Sequence, residues 1–192
     1  MTPLIQAGMF LIDTVFTFFI LSVILRVLFE AIHADFYNPV SQMILKATNF
    51  LLLPVRRIVP PYKNMDYASV VLVLILAFFK QGLLILLSAG KWGSPFGLLL
   101  LGIADVVNLL FYIYLFALIA VTAGNWLNIA GNPLLQIAAQ LINPLLNRIR
   151  AYLPTSAGFD FSPLILAVVL ILIDLLVIQF IAHLGINLLI SA

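Results

Sequence analysis

Four long, predominantly apolar stretches constrain this chain more than any other feature: residues 4–29, 67–88, 97–122 and 162–186. Each is long enough to cross a bilayer core of about 30 Å, which takes about 20 apolar residues in a helix. Helices are the expected form, because other open structures would leave backbone N–H and C=O groups unpaired in hydrocarbon. A membrane β-barrel would show alternating apolar and polar residues, and these runs do not. Composition agrees: 65% of the residues are hydrophobic and 8% charged, too few charges for the surface of a soluble domain. The absence of cysteine removes disulfides, thiolate metal sites and Cys nucleophiles together. Nothing basic precedes the first stretch and it exceeds the length of a signal-peptide core, so it is expected to be retained.

The connections differ in kind. Residues 89–96 form a short turn rich in Gly, Ser and Pro, with Trp92 suited to an interface. The first and third spans are instead followed by longer connectors of mixed polarity. Displacing the sequence by 94 positions aligns them without a gap: nine of 33 positions between 38 and 70 are identical. The pairs are Asn38/Asn132, Pro39/Pro133, Gln42/Gln136, Asn49/Asn143, Leu51/Leu145, Leu52/Leu146, Arg56/Arg150, Pro60/Pro154 and Asp66/Asp160. Most are not leucine, so shared leucine content does not account for the match. The chain therefore reads as two tandem repeats, 1–96 and 97–192, each a span, a connector and a second span. Two spans per repeat keep both copies in one orientation, so both connectors emerge on the same side.

Charge names that side. Lys46, Arg56, Arg57 and Lys63 stand in the first connector with Arg26 just before it, and Arg148 and Arg150 stand in the second; the opposite side has Lys91 alone. The positive-inside rule then predicts cytoplasmic connectors and periplasmic termini in a bacterial inner membrane. In the first connector (38–60), Val40, Met43, Ile44, Ala47, Leu51 and Val55 recur at helical spacing opposite Gln42, Lys46 and Asn49. In the second (132–154), Leu134, Ile137, Ala138, Leu141 and Leu145 oppose Gln136, Gln140 and Asn143. Asn-Pro suits a helix start; Pro54 and Pro144 are expected to interrupt the helices, and Pro60 and Pro154 to end them. Each connector is expected to be an amphipathic helix in the cytoplasmic interface, its basic end facing anionic head groups. A re-entrant hairpin competes with this, since residues 50–53 are wholly apolar. Asp66 and Asp160 each precede a span, where a carboxylate can cap the helix or pair with Arg56 or Arg150.

These residues resemble the YggT family of bacterial and plastid membrane proteins. The first half carries the family's pattern as Arg26, Asp35-Phe36-Tyr37-Asn38-Pro39, Ser41-Gln42, Lys46, Pro54-Val55-Arg56-Arg57, Pro60, Asp66 and Lys80. The second carries Trp126, Gln140-Leu141, Pro144-Leu145-Leu146, Arg148, Arg150, Pro154, Gly158 and Asp160-Phe161-Ser162-Pro163. It departs near Thr122, where the helix lacks the expected Arg, and around Asn147, where Pro-x-Arg-Arg loses its Pro. The resemblance implies an inner-membrane protein with no settled biochemical activity. Relatives are linked to osmotic tolerance and ion uptake, to division or nucleoid organisation, and in plastids to cofactor assembly on a cytochrome.

Ionisable residues within spans are costly unless paired or wetted, so Asp13, Lys80, Asp105 and Asp174 are candidate site residues. Their depths allow one shared layer, with Lys80 paired to Asp174, its repeat-equivalent, or to another of the acids. Such a layer either fixes helix register, helped by Asn108 and Gln179, or forms a cation or proton site. An enzyme finds little support: His33 and His183 fall at opposite membrane faces, and no phosphate loop, nucleophile elbow or zinc motif occurs. No cofactor or nucleic-acid partner is expected. The reading is an all-α membrane protein of four transmembrane helices in two parallel repeats. Its function is expected to be that of a non-enzymatic membrane organiser or assembly factor binding anionic phospholipid or a membrane partner, and as a homo-oligomer or beside other membrane proteins. Its rival is an ion-transport or osmotic-stress protein.

Overall fold

A computed structural model describes residues 2–35, 37–59, 66–127, 129, 131–152 and 160–190. The helices are α1 (Pro3–Ala31), α2 (Pro39–Arg56), α3 (Tyr67–Ala89), α4 (Pro95–Trp126), α5 (Pro133–Arg150), α6 (Ser162–Ile173) and α7 (Gln179–Ile190). A π-helical turn, Asp174–Ile178, joins α6 to α7. Four segments are long and apolar enough to cross a membrane: Pro3–Ala31, Tyr67–Ala89, Pro95–Trp126 and Ser162–Ile190. The described residues contain no strand.

Local chemistry sets the ends. Proline occupies the first turn of α1, α2, α4, α5 and α6, where its missing N–H costs nothing. Asn38 and Asn132 cap α2 and α5 identically, each side-chain Oδ1 accepting from the N–H two residues on, Val40 or Leu134, at 2.9 Å. α1 closes with His33 at φ 50°, while the Ala34 N–H reaches back to the Phe29 carbonyl at 2.8 Å. That 6→1 bond with a left-handed residue is a Schellman closure. α3 ends on Gly90 at φ 70°, a conformation open to glycine without steric cost.

α1 packs on α3, α3 on α4, and α4 on α7, while α2 lies against α1 and α5 against α4. Close approaches rest on glycine: a Cβ at Gly102 would sit 3.2 Å from the backbone of Ala77 and Phe78 in α3. A Cβ at Gly97 would sit 3.1 Å from the Gly185 carbonyl of α7. The main core gathers at the connector end, from Ile20, Val23 and Ile24 of α1, Leu72 and Val73 of α3, Leu118 and Val121 of α4, and Ile142 and Leu146 of α5. Asn38 Nδ2 donates to the Pro133 carbonyl at 2.9 Å, so the starts of α2 and α5 meet and both connectors lie at one end of the bundle.

One expectation needs correction. Pro54 and Pro144 do not interrupt their helices, which run through both; both fall in the C-terminal half, Pro54 close to the end, and tertiary packing holds the helix across the lost backbone bond. The face that α2 turns into the bundle is offset from its apolar stripe. Ser41, Ile44, Thr48 and Leu52 are buried, whereas Met43 is exposed. Polar Thr48 turns inward because the buried Arg26 needs an acceptor there, as described next, while the buried Ser41 hydroxyl has no partner among the described residues. Without that demand α5 keeps the apolar face, burying Ile137, Ala138, Leu141, Ile142 and Leu146.

Candidate functional site

Two polar centres lie inside the bundle and a third at its connector end. The first is built on Lys80 of α3, which is 4% exposed. Its ammonium donates to Thr17 Oγ1 at 2.8 Å and to Asp105 Oδ2 at 2.9 Å, and pairs with Asp13 Oδ1 at 2.9 Å. An ammonium has three N–H donors, so these three acceptors satisfy it. The cluster ties α1, α3 and α4 together. Its acids are unequally enclosed, Asp105 being 18% and Asp13 53% exposed.

Of the two pairings expected for Lys80, with Asp174 or with another of the acids, the geometry shows the second. Asp174 is half-buried at the first residue of the π-helical turn and makes none of the Lys80 contacts. The reason is topological: α3 packs between α1 and α4, so repeat-equivalent positions on α3 and the fourth span do not face each other. Asn108 and Gln179 are likewise not acceptors of Lys80.

The second centre is Arg26, 6% exposed near the end of α1. Its Nη1 donates to Asn49 Oδ1 at 2.7 Å and Thr48 Oγ1 at 2.9 Å, both on α2, while Thr48 donates onward to the Ile44 carbonyl at 2.8 Å. The guanidinium Nε has no partner among the described residues. Arg26 thus fastens the connector helix to the first span. The second repeat has no counterpart: α4 carries no basic residue, and Ile142 stands where the first copy has Thr48. The donor and one of its two side-chain acceptors are lost together, while Asn143 keeps the place of Asn49.

The third centre is duplicated. Arg56 donates to Asp66 Oδ2 at 2.6 Å, and Arg150 donates to Asp160 Oδ2 at 2.6 Å. In the first copy Asp66 is sealed, its side chain 1% exposed, and in the second Asp160 is 37% exposed. Ser69 Oγ donates to Asp66 at 2.8 Å, while Asp66 makes no helix-capping bond, so its expected cap role gives way to the ion pair. Asp160 does both, since its Oδ1 accepts the Ser162 N–H at 2.9 Å. Burial works to raise the Asp66 carboxyl, but hydrogen bonds from Arg56 and Ser69 overcome it and hold the group below the ordinary carboxylate range. Hydrogen bonds from Arg150 and Ser162 hold Asp160 down to about 2.

Of the basic connector residues, Lys46, Arg57 and Arg148 are exposed and Arg56 and Arg150 half-buried in their pairs; Lys63, Pro60 and Pro154 lie outside the described residues. Sequence reasoning missed Thr17, Thr48 and Ser69. Thr48 had a signal, since comparing the copies shows it replaced by Ile142 where the arginine is also missing. Among the described residues no three His, Asp or Glu side chains group to hold a metal ion.

The family model described as CCB3/YggT matches residues 5–87 and again 100–181. An uncharacterised protein of Pseudomonas aeruginosa is 36% identical over 181 residues, 93% of this chain and 92% of its own length. One of Vibrio alginolyticus is 36% identical over 162 residues, covering 82% and 85%. The uncharacterised protein YggT of Escherichia coli K12 is 33% identical over 169 residues, 86% of each chain. No solved structure matches. The double match reproduces the tandem repeat that the paired caps and paired Arg–Asp bridges display, and the chain belongs to the CCB3/YggT family.

Proposed function

We propose that the protein is a non-enzymatic inner-membrane organiser, its connectors in the cytoplasm and its termini in the periplasm, which holds anionic phospholipid or a membrane partner through the connector helices. One observation carries this reading. The buried cations are committed to internal bonds, Lys80 to three acceptors and Arg26 to α2, whereas Lys46, Arg57 and Arg148 are exposed on the connectors beside exposed Met43, Phe50 and Leu53. Basic groups bordering apolar side chains suit an anionic interface, where each cation near the surface contributes about 1 kcal/mol.

The test is lipid retention by the detergent-purified chain, read by native mass spectrometry against phosphatidylglycerol and phosphatidylcholine. The triple variant K46Q/R57Q/R148Q should lose preference for the anionic lipid. Unchanged preference, with no stoichiometric protein co-purifying from native membranes, removes the proposal. A second reading, cation or proton transport with a role in osmotic stress, draws on the 53% exposure of Asp13 within a cluster of two acids and one base. Proteoliposomes that carry K⁺, Na⁺ or protons, and stop when Asp13 and Asp105 become Asn, would favour it.

A further inference from the structure

The two repeats enclose their Arg–Asp bridges differently, and the difference makes a site. In the second repeat a cavity of 540 Å³ opens beside the bridge, lined at its rim by Arg150, Asp160, Asn125, Thr122 and Trp126 and on its apolar wall by residues that include Leu146 and Leu164. That volume falls in the range of roughly 300–1,000 Å³ typical of small-ligand sites. In the first repeat the matching carboxylate is sealed and Arg26 holds the neighbouring connector helix; here α4 offers no arginine, and Asp160 stays open.

We infer that this cavity binds the head group of a zwitterionic phospholipid bearing a primary ammonium, a phosphoethanolamine. Charge complementarity selects it. Arg150 uses Nε and Nη2 on Asp160 and Nη1 on Asn147 Oδ1, and each terminal nitrogen carries a second N–H for a phosphate oxygen. Asp160 Oδ2 takes both Arg150 bonds and Oδ1 one backbone N–H, leaving lone pairs for an ammonium. A matched pair has no net charge, so a bare anion drawn to Arg150 meets repulsion from Asp160. A zwitterion answers both ends. The Trp126 ring adds a face for the ammonium, and the Asn125 side chain an acceptor for its N–H groups. The acyl chains have a continuous path, since Leu164 and Val168 of α6 and Ile119 of α4 are exposed apolar residues running away from the rim. The site is distinct from the exposed cations Lys46, Arg57 and Arg148, though it shares with that reading the placement of the connectors at a membrane interface.

The experiment uses the full-length chain, delipidated in detergent and titrated separately with phosphatidylethanolamine, phosphatidylglycerol and phosphatidylcholine, with bound lipid counted by native mass spectrometry. One phosphatidylethanolamine per chain should bind about tenfold or more tightly than phosphatidylcholine, whose quaternary nitrogen donates no hydrogen bond, a ratio equal to about 1.4 kcal/mol. Two variants should lower it to the phosphatidylcholine level: R150Q/D160N, which removes the charges, and T122F, which fills the cavity. Thr122 bonds only its own helix, its hydroxyl donating to the Leu118 carbonyl at 2.8 Å, so T122F orphans no partner and decides the matter if the double variant misfolds. Equal binding of all three lipids, stronger binding of phosphatidylglycerol, or phosphatidylethanolamine binding untouched by T122F would overturn the inference. K46Q/R57Q/R148Q should leave phosphatidylethanolamine binding intact, which separates failure here from failure of the connector proposal.

Discussion

Replacing Lys80 with methionine is the sharpest probe of the membrane-buried charges. Methionine keeps the length and most of the volume of lysine but removes the ammonium that Asp13, Thr17 and Asp105 share. Three hydrogen bonds at the membrane average of about 0.6 kcal/mol come to about 2 kcal/mol. Leaving two carboxylates without their cation adds to this, and for fully buried pairs the total reaches about 3–5 kcal/mol. Asp13 is 53% exposed, so the cluster is not fully enclosed by protein, which places the expected loss near the lower end, about 2–3 kcal/mol. Reversible unfolding in mixed micelles, followed by far-UV circular dichroism, measures it. The triple variant K80M/D13N/D105N should recover at least half the loss, because it removes the uncompensated acids along with the base. A loss under about 0.5 kcal/mol for K80M would refute the reasoning, since that is less than one average membrane hydrogen bond.

Other expectations follow from the duplicated bridges and the helix crossings. Asp66→Asn should destabilise by about 2–4 kcal/mol, because it strips a sealed carboxylate from Arg56, whereas Asp160→Asn at the open copy should cost under about 1 kcal/mol in the same unfolding assay. Asp160 titrates in the folded chain at about 2 against an ordinary 3.8, so its contribution is complete above pH 3.8 and is lost as the pH falls through 2. Screening at this exposed pair limits that contribution to about 0.2–1 kcal/mol, and a carboxyl-carbon NMR titration should find the depressed midpoint and lose it in R150Q. Gly102→Val would push a side chain into the α3 backbone at Ala77 and Phe78, costing about 1–3 kcal/mol and increasing the α3–α4 distance measured between spin labels.

Sequence placed the spans to within a few residues, because a long apolar run has one stable form in lipid and its ends are marked by proline and by Asn or Gly. The internal repeat was also legible, and it marked Asp66 and Asp160 as equivalent residues for which bridges to Arg56 and Arg150 stood as the alternative to helix caps. What stayed hidden was which span neighbours which. Hydropathy records that a helix meets lipid but not the order around the bundle, so it leaves Asp174 and the other acids as alternatives for Lys80, and the position of α3 between α1 and α4 decides between them. Arg26 was visible as a motif residue, yet its acceptors were not: Thr48 is a weakly polar side chain in an apolar pattern, and only the guanidinium above it turns that face inward.

The uneven placement of the core has a mechanical consequence. α1 has no fully buried residue before Ile20, so its first 17 residues, 3–19, form an arm about 25 Å long at about 1.5 Å per residue that leans on α3 through half-buried side chains, with Gly8 facing Leu87. The arm is anchored at one end by the connector-side packing and tethered partway along by Lys80, through Asp13 and Thr17. A bilayer that thins or thickens acts on such an arm through its tilt, at fractions of a kcal/mol per ångström of mismatch. The lysine then serves as the stay that limits the swing, and cutting it releases one leg of the bundle to follow the thickness of the membrane while the other spans keep their footing.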